Sequence, residues 1–87
     1  MENVLKGFGI IVVDRGFVYV GHILIEGNWC VITEASNIRY WGTTRGLGEL
    51  ALNGPTENTK LDKVGTVRVP MKALISIIDT EVSKWNI

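Results

Sequence analysis

Residues 17–26 read Phe-Val-Tyr-Val-Gly-His-Ile-Leu-Ile-Glu, FVYVGHILIE. The β-branched and aromatic content and the shortness of the run make it a strand rather than a helix. Alternate residues of a strand share a face. Phe17, Tyr19, Ile23 and Ile25 fall on one face, and Val18, Val20 and Leu24 on the other. Both faces are largely apolar, whereas an antiparallel strand with one wet face alternates more clearly. The reading is a barrel core on one side and a subunit contact on the other. Gly21 interrupts the strand, where a sharp bend or bulge would close a small barrel.

The flanking segments extend this pattern. Residues 7–13 form an apolar, β-branched run that ends at a turn, Asp14-Arg15-Gly16. Glu26-Gly27-Asn28 is a tight-turn signal before a third strand over 29–33, which runs on past a kink at Glu34-Ala35-Ser36, through Ile38 to Trp41. Thr43 or Thr44 then caps a short helix whose buried stripe is Leu47, Leu50 and Ala51. Asn53-Gly54-Pro55 ends that helix. Residues 56–63 are polar and read as a loop, 66–69 as a short strand, Met71-Lys72-Ala73 as a tight corner and 74–78 as a final strand. The tail, 80–87, reads as a short helix carrying Trp85. The expected fold is mainly β: a small five-stranded SH3-like (Sm-like) barrel with one short helix inserted between strands 3 and 4. It is a single domain, 1–87, with 42–63 as a helix-plus-loop insertion.

At 87 residues the chain buries a small core, so its stability is marginal unless something assists it. Disulfides do not, because Cys30 is the only cysteine, and its apolar neighbours point to a buried thiol in a reducing compartment. Three tryptophans and 46% hydrophobic residues are generous for this length, and a homo-oligomer would use that surplus. A formal net charge of zero argues against generic binding to long nucleic acid. With no leader pattern and no apolar run of spanning length, the expectation is a cytoplasmic protein without membrane contact.

The order VYVGHILIEGNWCVITEAS followed by GTVRVPMKALISI resembles the Sm-like ring proteins in outline. Gly21 lies in a long bent strand, Glu34-Ala35 ends the next, and 68–75 holds two short strands meeting at a tight turn. That family's Arg-Gly turn and base-binding Asp/Asn pair are missing here. The resemblance therefore implies a fold and a tendency to oligomerise, and not RNA binding. A second resemblance covers most of the chain. The strand V-x-x-G at 18–21, the I-x-x-W part of an N/A-x-x-I-x-x-W pattern within 37–41, L-x-x-L-A with a glycine stop over 47–54, V-x-V at 67–69 and the I-x-I-I stretch with D-T-E over 75–81 look like a family of small phage and prophage proteins described only as a domain of unknown function. It implies a phage origin, hence the cytoplasm of an infected bacterium, and brings no catalytic residues.

The most distinctive chemistry lies in residues 39–50, RYWGTTRGLGEL. Gly46 to Ala51 fit G-x-G-x-x-A, a dinucleotide fingerprint, but the rest of the chain lacks the crossover and second parallel strand of a Rossmann unit. A helix N-terminus binds anions without that fold, through free N–H groups at Arg45, Gly46 and Leu47, with Gly46 and Gly48 permitting close approach. Arg39 and Arg45 supply forked donors matched to phosphate. Tyr40 and Trp41 can stack on a base, Thr43 and Thr44 add hydroxyls, and Lys60 can line the mouth across a subunit boundary. The competing reading makes Trp41 and Leu47 packing residues, Thr44 a cap and Arg39 a surface charge. His22, within an apolar strand and without a serine, cysteine or carboxylate motif, reads as a packed or interface histidine. One Cys and one His do not make an ordinary structural zinc site, and no cofactor is expected.

These residues leave three functional classes. The first is a phage-encoded, non-catalytic binding protein, similar in its general traits to the oligomeric sponges with which phages sequester nucleotide immune signals such as cyclic nucleotides or ADP-ribose derivatives. The second is a protein–protein interaction module that inhibits a host factor or serves a structural role. The third, carrying least support, is a nucleotide-cleaving phosphodiesterase.

Overall fold

The computed structural model describes residues 5–85. Five strands form one antiparallel sheet: β1 (Leu5–Val13), β2 (Val18–Glu26), β3 (Trp29–Tyr40), β4 (Lys60–Pro70) and β5 (Leu74–Asp79). Their spatial order is β4-β3-β2-β1-β5. Among the described residues the one α-helix, α1 (Leu47–Asn53), lies between β3 and β4 in the chain. A 3-10 turn, Met71–Ala73, makes the expected corner between β4 and β5.

Both faces of β2 are covered at its start, and for different reasons. The sheet curls, so that its inner face packs against itself. Ile11 and Val13 of β1, Ile23 of β2, Cys30, Ile32 and Ala35 of β3 and Val69 of β4 share one core with Leu74 and Ile77 of β5. Gly9 and Gly21, paired across β1 and β2, mark the tight part of the curl. A Cβ on Gly21 would stand 2.8 Å from Ile32 Cγ2 and 2.9 Å from the Thr33 carbonyl oxygen, so only glycine lets β2 approach β3 this closely. The ladder slips at the same place, between Val20 and His22, and again in β3 beside Glu34, which adopts φ 50°. The ladder does not run from β4 to β5. These two strands are the edges of a sheet that is not closed.

The outer face carries a second core of Ile10, Val18, Val20, Ile38, Leu50, Ala51 and Trp85. The subunit contact expected on this side of β2 is replaced, over Val18 and Val20, by the chain's own α1 and tail. Further along β2, His22 is exposed and Leu24 half-buried. Of the expected tail helix the described residues show a single 3-10 turn, Val82–Lys84, which delivers Trp85 into the outer core; residues 86 and 87 lie outside the described residues.

The reading of residues 56–63 as a loop also needs correcting. Residues 60–63 are not loop but the first part of β4, with Asp62 opposite Asn37 and Leu61 opposite Ile38. The segment is polar because it is an edge, where most side chains meet water, and Leu61 alone turns to the outer core. The insertion between β3 and β4 is accordingly shorter than 42–63.

Candidate ligand site

Arg39, Tyr40, Trp41, Gly42 and Thr43 line a shallow groove of about 260 Å³ where β3 leaves the sheet. Tyr40 is 60% exposed and Trp41 41% exposed; Trp41 belongs to neither core, although its ring lies 3.8 Å from where a Cβ on Gly46 would stand, whereas Leu47 packs on the outer core. Arg39 is already engaged. Its Nε donates to Asp62 Oδ2 at 2.8 Å and its Nη2 to Oδ1 at 3.3 Å, a forked pair on the surface. The Asp62 hydrogen bond and charge hold the guanidinium above its ordinary pKa.

The approach to the helix N-terminus is partly taken up by the chain itself. Gly46 is the N-cap residue, with φ 83°. Glu49 turns back and accepts the Arg45 backbone N–H at 2.9 Å and the Thr44 hydroxyl at 3.3 Å. A carboxylate of the chain itself thus stands where an anion was expected, in the manner of a capping-box glutamate. Neither Thr43 nor Thr44 caps the helix; the Thr43 hydroxyl donates to the Gly46 carbonyl at 2.8 Å. Gly48 faces open space, so an added Cβ there would meet nothing. Lys60 opens β4 opposite Tyr40 and is exposed.

Two residues outside the expected set shape the groove. The Thr56 hydroxyl donates to the Gly42 carbonyl at 2.8 Å, and the Thr59 hydroxyl to the Trp41 carbonyl at 2.7 Å. The turn is self-bonded, with the Thr56 N–H donating to Thr59 Oγ1 at 2.9 Å. Gly42 (φ 71°) lies so close that a Cβ would stand 2.5 Å from the Asn58 carbonyl carbon. The sequence signal was the pair of threonines around Glu57-Asn58, a hydroxyl-turn composition, but its target on residues 41 and 42 is non-local.

Elsewhere, His22 is exposed; its Nε2 lies 3.4 Å from Glu34 Oε1, and its ring meets Phe8 edge-on at 5.1 Å. Cys30 is fully buried, and burial pushes its thiol pKa up. Among the described residues, no three His, Cys, Asp or Glu side chains gather as a metal site, and no helix is long and apolar enough to cross a membrane. Comparison with protein-family models, curated proteins and solved structures gives no match to this chain.

Proposed function

We propose that the protein is a non-catalytic binding protein for a small, anionic, nucleotide-like ligand, held at the 39–43 groove. The observation that carries this reading is the pair of exposed aromatic rings, Tyr40 and Trp41, beside an arginine and on a backbone fastened by Thr56 and Thr59. Exposed rings on a fixed backbone stack on a base at little entropic cost. A phosphate competes with Asp62 for Arg39. Binding is stoichiometric, as in sequestration of a nucleotide signal by a phage protein. The resemblance to small phage proteins supports that setting.

The curled five-stranded sheet is an SH3-like arrangement left open, and its two free edges, β4 and β5, favour assembly into a symmetric homo-oligomer. A second reading, a module that docks on a host protein, draws support from the other exposed apolar side chains, among them Phe17, Leu52 and Val82.

The test is native mass spectrometry of the protein with a pool of cyclic nucleotides and cyclic ADP-ribose isomers. An oligomer that gains one of those masses is the expected result. Arg39→Ala is expected to weaken that binding, and Asp62→Asn, which releases the guanidinium, to tighten it. An oligomer that gains nothing, or a ligand indifferent to both substitutions, defeats the reading of this groove.

A further inference from the structure

A larger cavity lies at the opposite end of β3. The β2–β3 turn and the β4–β5 corner flank an open cavity of about 540 Å³, roughly twice the volume of the 39–43 groove and within the usual range of small-molecule sites. Asn28, Trp29, Pro70, Met71 and Lys72 line it. The walls come from two separate turns, fastened to each other by a hydrogen bond from the Met71 N–H to the Asn28 carbonyl at 2.9 Å. Trp29 and Pro70 are direct cross-strand partners. Trp29 is nevertheless 46% exposed and belongs to neither core, so packing does not account for an indole here.

The charges around it are unequal. Lys72 lines the cavity, and Arg68, opposite Val31, sits one same-face step along β4 from Pro70. Neither cation is in a salt bridge among the described residues. Glu26, opposite Trp29 on β2, is the adjacent carboxylate and is an acceptor for an exocyclic amine.

We propose that this cavity is a second ligand site, separate from the 39–43 groove, for the base and phosphate of a purine nucleotide. Trp29 is the stacking platform, the Asn28 side-chain amide and Glu26 meet the base edge, and Lys72, with Arg68 beyond it, attracts the phosphate. Stacking on one face and a single flexible cation give modest affinity, so the probe is used at millimolar concentration.

The full chain, labelled with nitrogen-15, shows indole N–H resonances for Trp29, Trp41 and Trp85, assigned by changing each to phenylalanine. On titration with 5′-AMP the Trp29 signal is expected to shift and saturate. Trp29→Leu should weaken binding by about fivefold or more. Lys72→Ala should weaken it severalfold and flatten its dependence on salt. A parallel titration with hexadeoxyadenylate separates a free nucleotide from a base within a single strand, according to which moves the Trp29 signal at the lower concentration. A Trp29 resonance unmoved by both probes, or a Trp29→Leu protein that binds as tightly as the unchanged chain, overturns the proposal. A shift confined to Trp41 would do the same while leaving the 39–43 groove in place; a shift confined to Trp29 would do the reverse.

Discussion

Gly21 shows how one residue sets the curvature of the sheet. Its missing side chain lets β2 cross within contact of Ile32 and Thr33, where an added methyl would collide with backbone that has no room to retreat. Gly21→Ala should therefore lower the urea midpoint, with a loss of about 1–3 kcal/mol. An unchanged midpoint would mean that the curl is looser than described. Cys30, buried in the inner core with its thiol pKa raised, should resist iodoacetamide at mildly alkaline pH in the folded protein and react fully in denaturant. Native-state alkylation at the rate of a free thiol would contradict its placement. Arg39 is a different case. Its ion pair with Asp62 is exposed and contributes little to stability, so a binding change in the Arg39 variant reports on the ligand and not on folding.

The seven residues of α1 could not hold a helix in isolation. Three contacts stabilise it. Leu50 and Ala51 bury against the outer core, Glu49 ties down the Arg45 N–H just ahead of the helix, and the tail closes the C-terminal side. There the Thr80 hydroxyl donates to the Ala51 carbonyl, one of the helix-end acceptors without an internal partner, and accepts the Trp85 indole N–H at 2.9 Å. Thr80→Val keeps the shape and removes both bonds. It should cost about 1–3 kcal/mol, because a buried indole donor and a carbonyl lose their partners. Amide exchange should rise first in α1 and around Trp85. Exchange that rises equally through the sheet would show that the helix and tail are not a separate unit.

At the scale of the molecule, two features compete. A chain of 87 residues has a stability of roughly 4–13 kcal/mol, yet this one buries a core on each face of its sheet. What remains unpaired is the hydrogen-bonding edge of β4 and of β5, with Ile75 64% exposed on the latter. The proposed self-association runs through these edges. Ile75→Lys, which places a charge on β5 as many proteins do to block edge pairing, should shift the oligomer to a folded monomer in sedimentation, with a melting temperature that no longer depends on protein concentration. An oligomer that survives this change would be built on another surface, and the half-covered face of β2 around Leu24 is the next to test.

The sequence alone determined the strand and helix types, the turns at Asp14-Arg15-Gly16 and Glu26-Gly27-Asn28, the break at Pro70 and the apolar stripe of α1, because local periodicity and turn chemistry act over a few residues. It also showed that both faces of β2 are largely apolar. Only the tertiary structure decided what covers them: the curled sheet on one side, α1 and Trp85 on the other. The start of β4 was illegible for the same reason, since residues 60–65 are strand only through their pairing with β3. So too with the 39–50 stretch. Its residue types were visible in the chain, but Arg39 meets Asp62 across a ladder, Glu49 folds back onto Arg45, and Thr56 and Thr59 reach Gly42 and Trp41. Hydrogen-bond partners far apart in the chain are fixed by strand register, and register is a property of the assembled sheet.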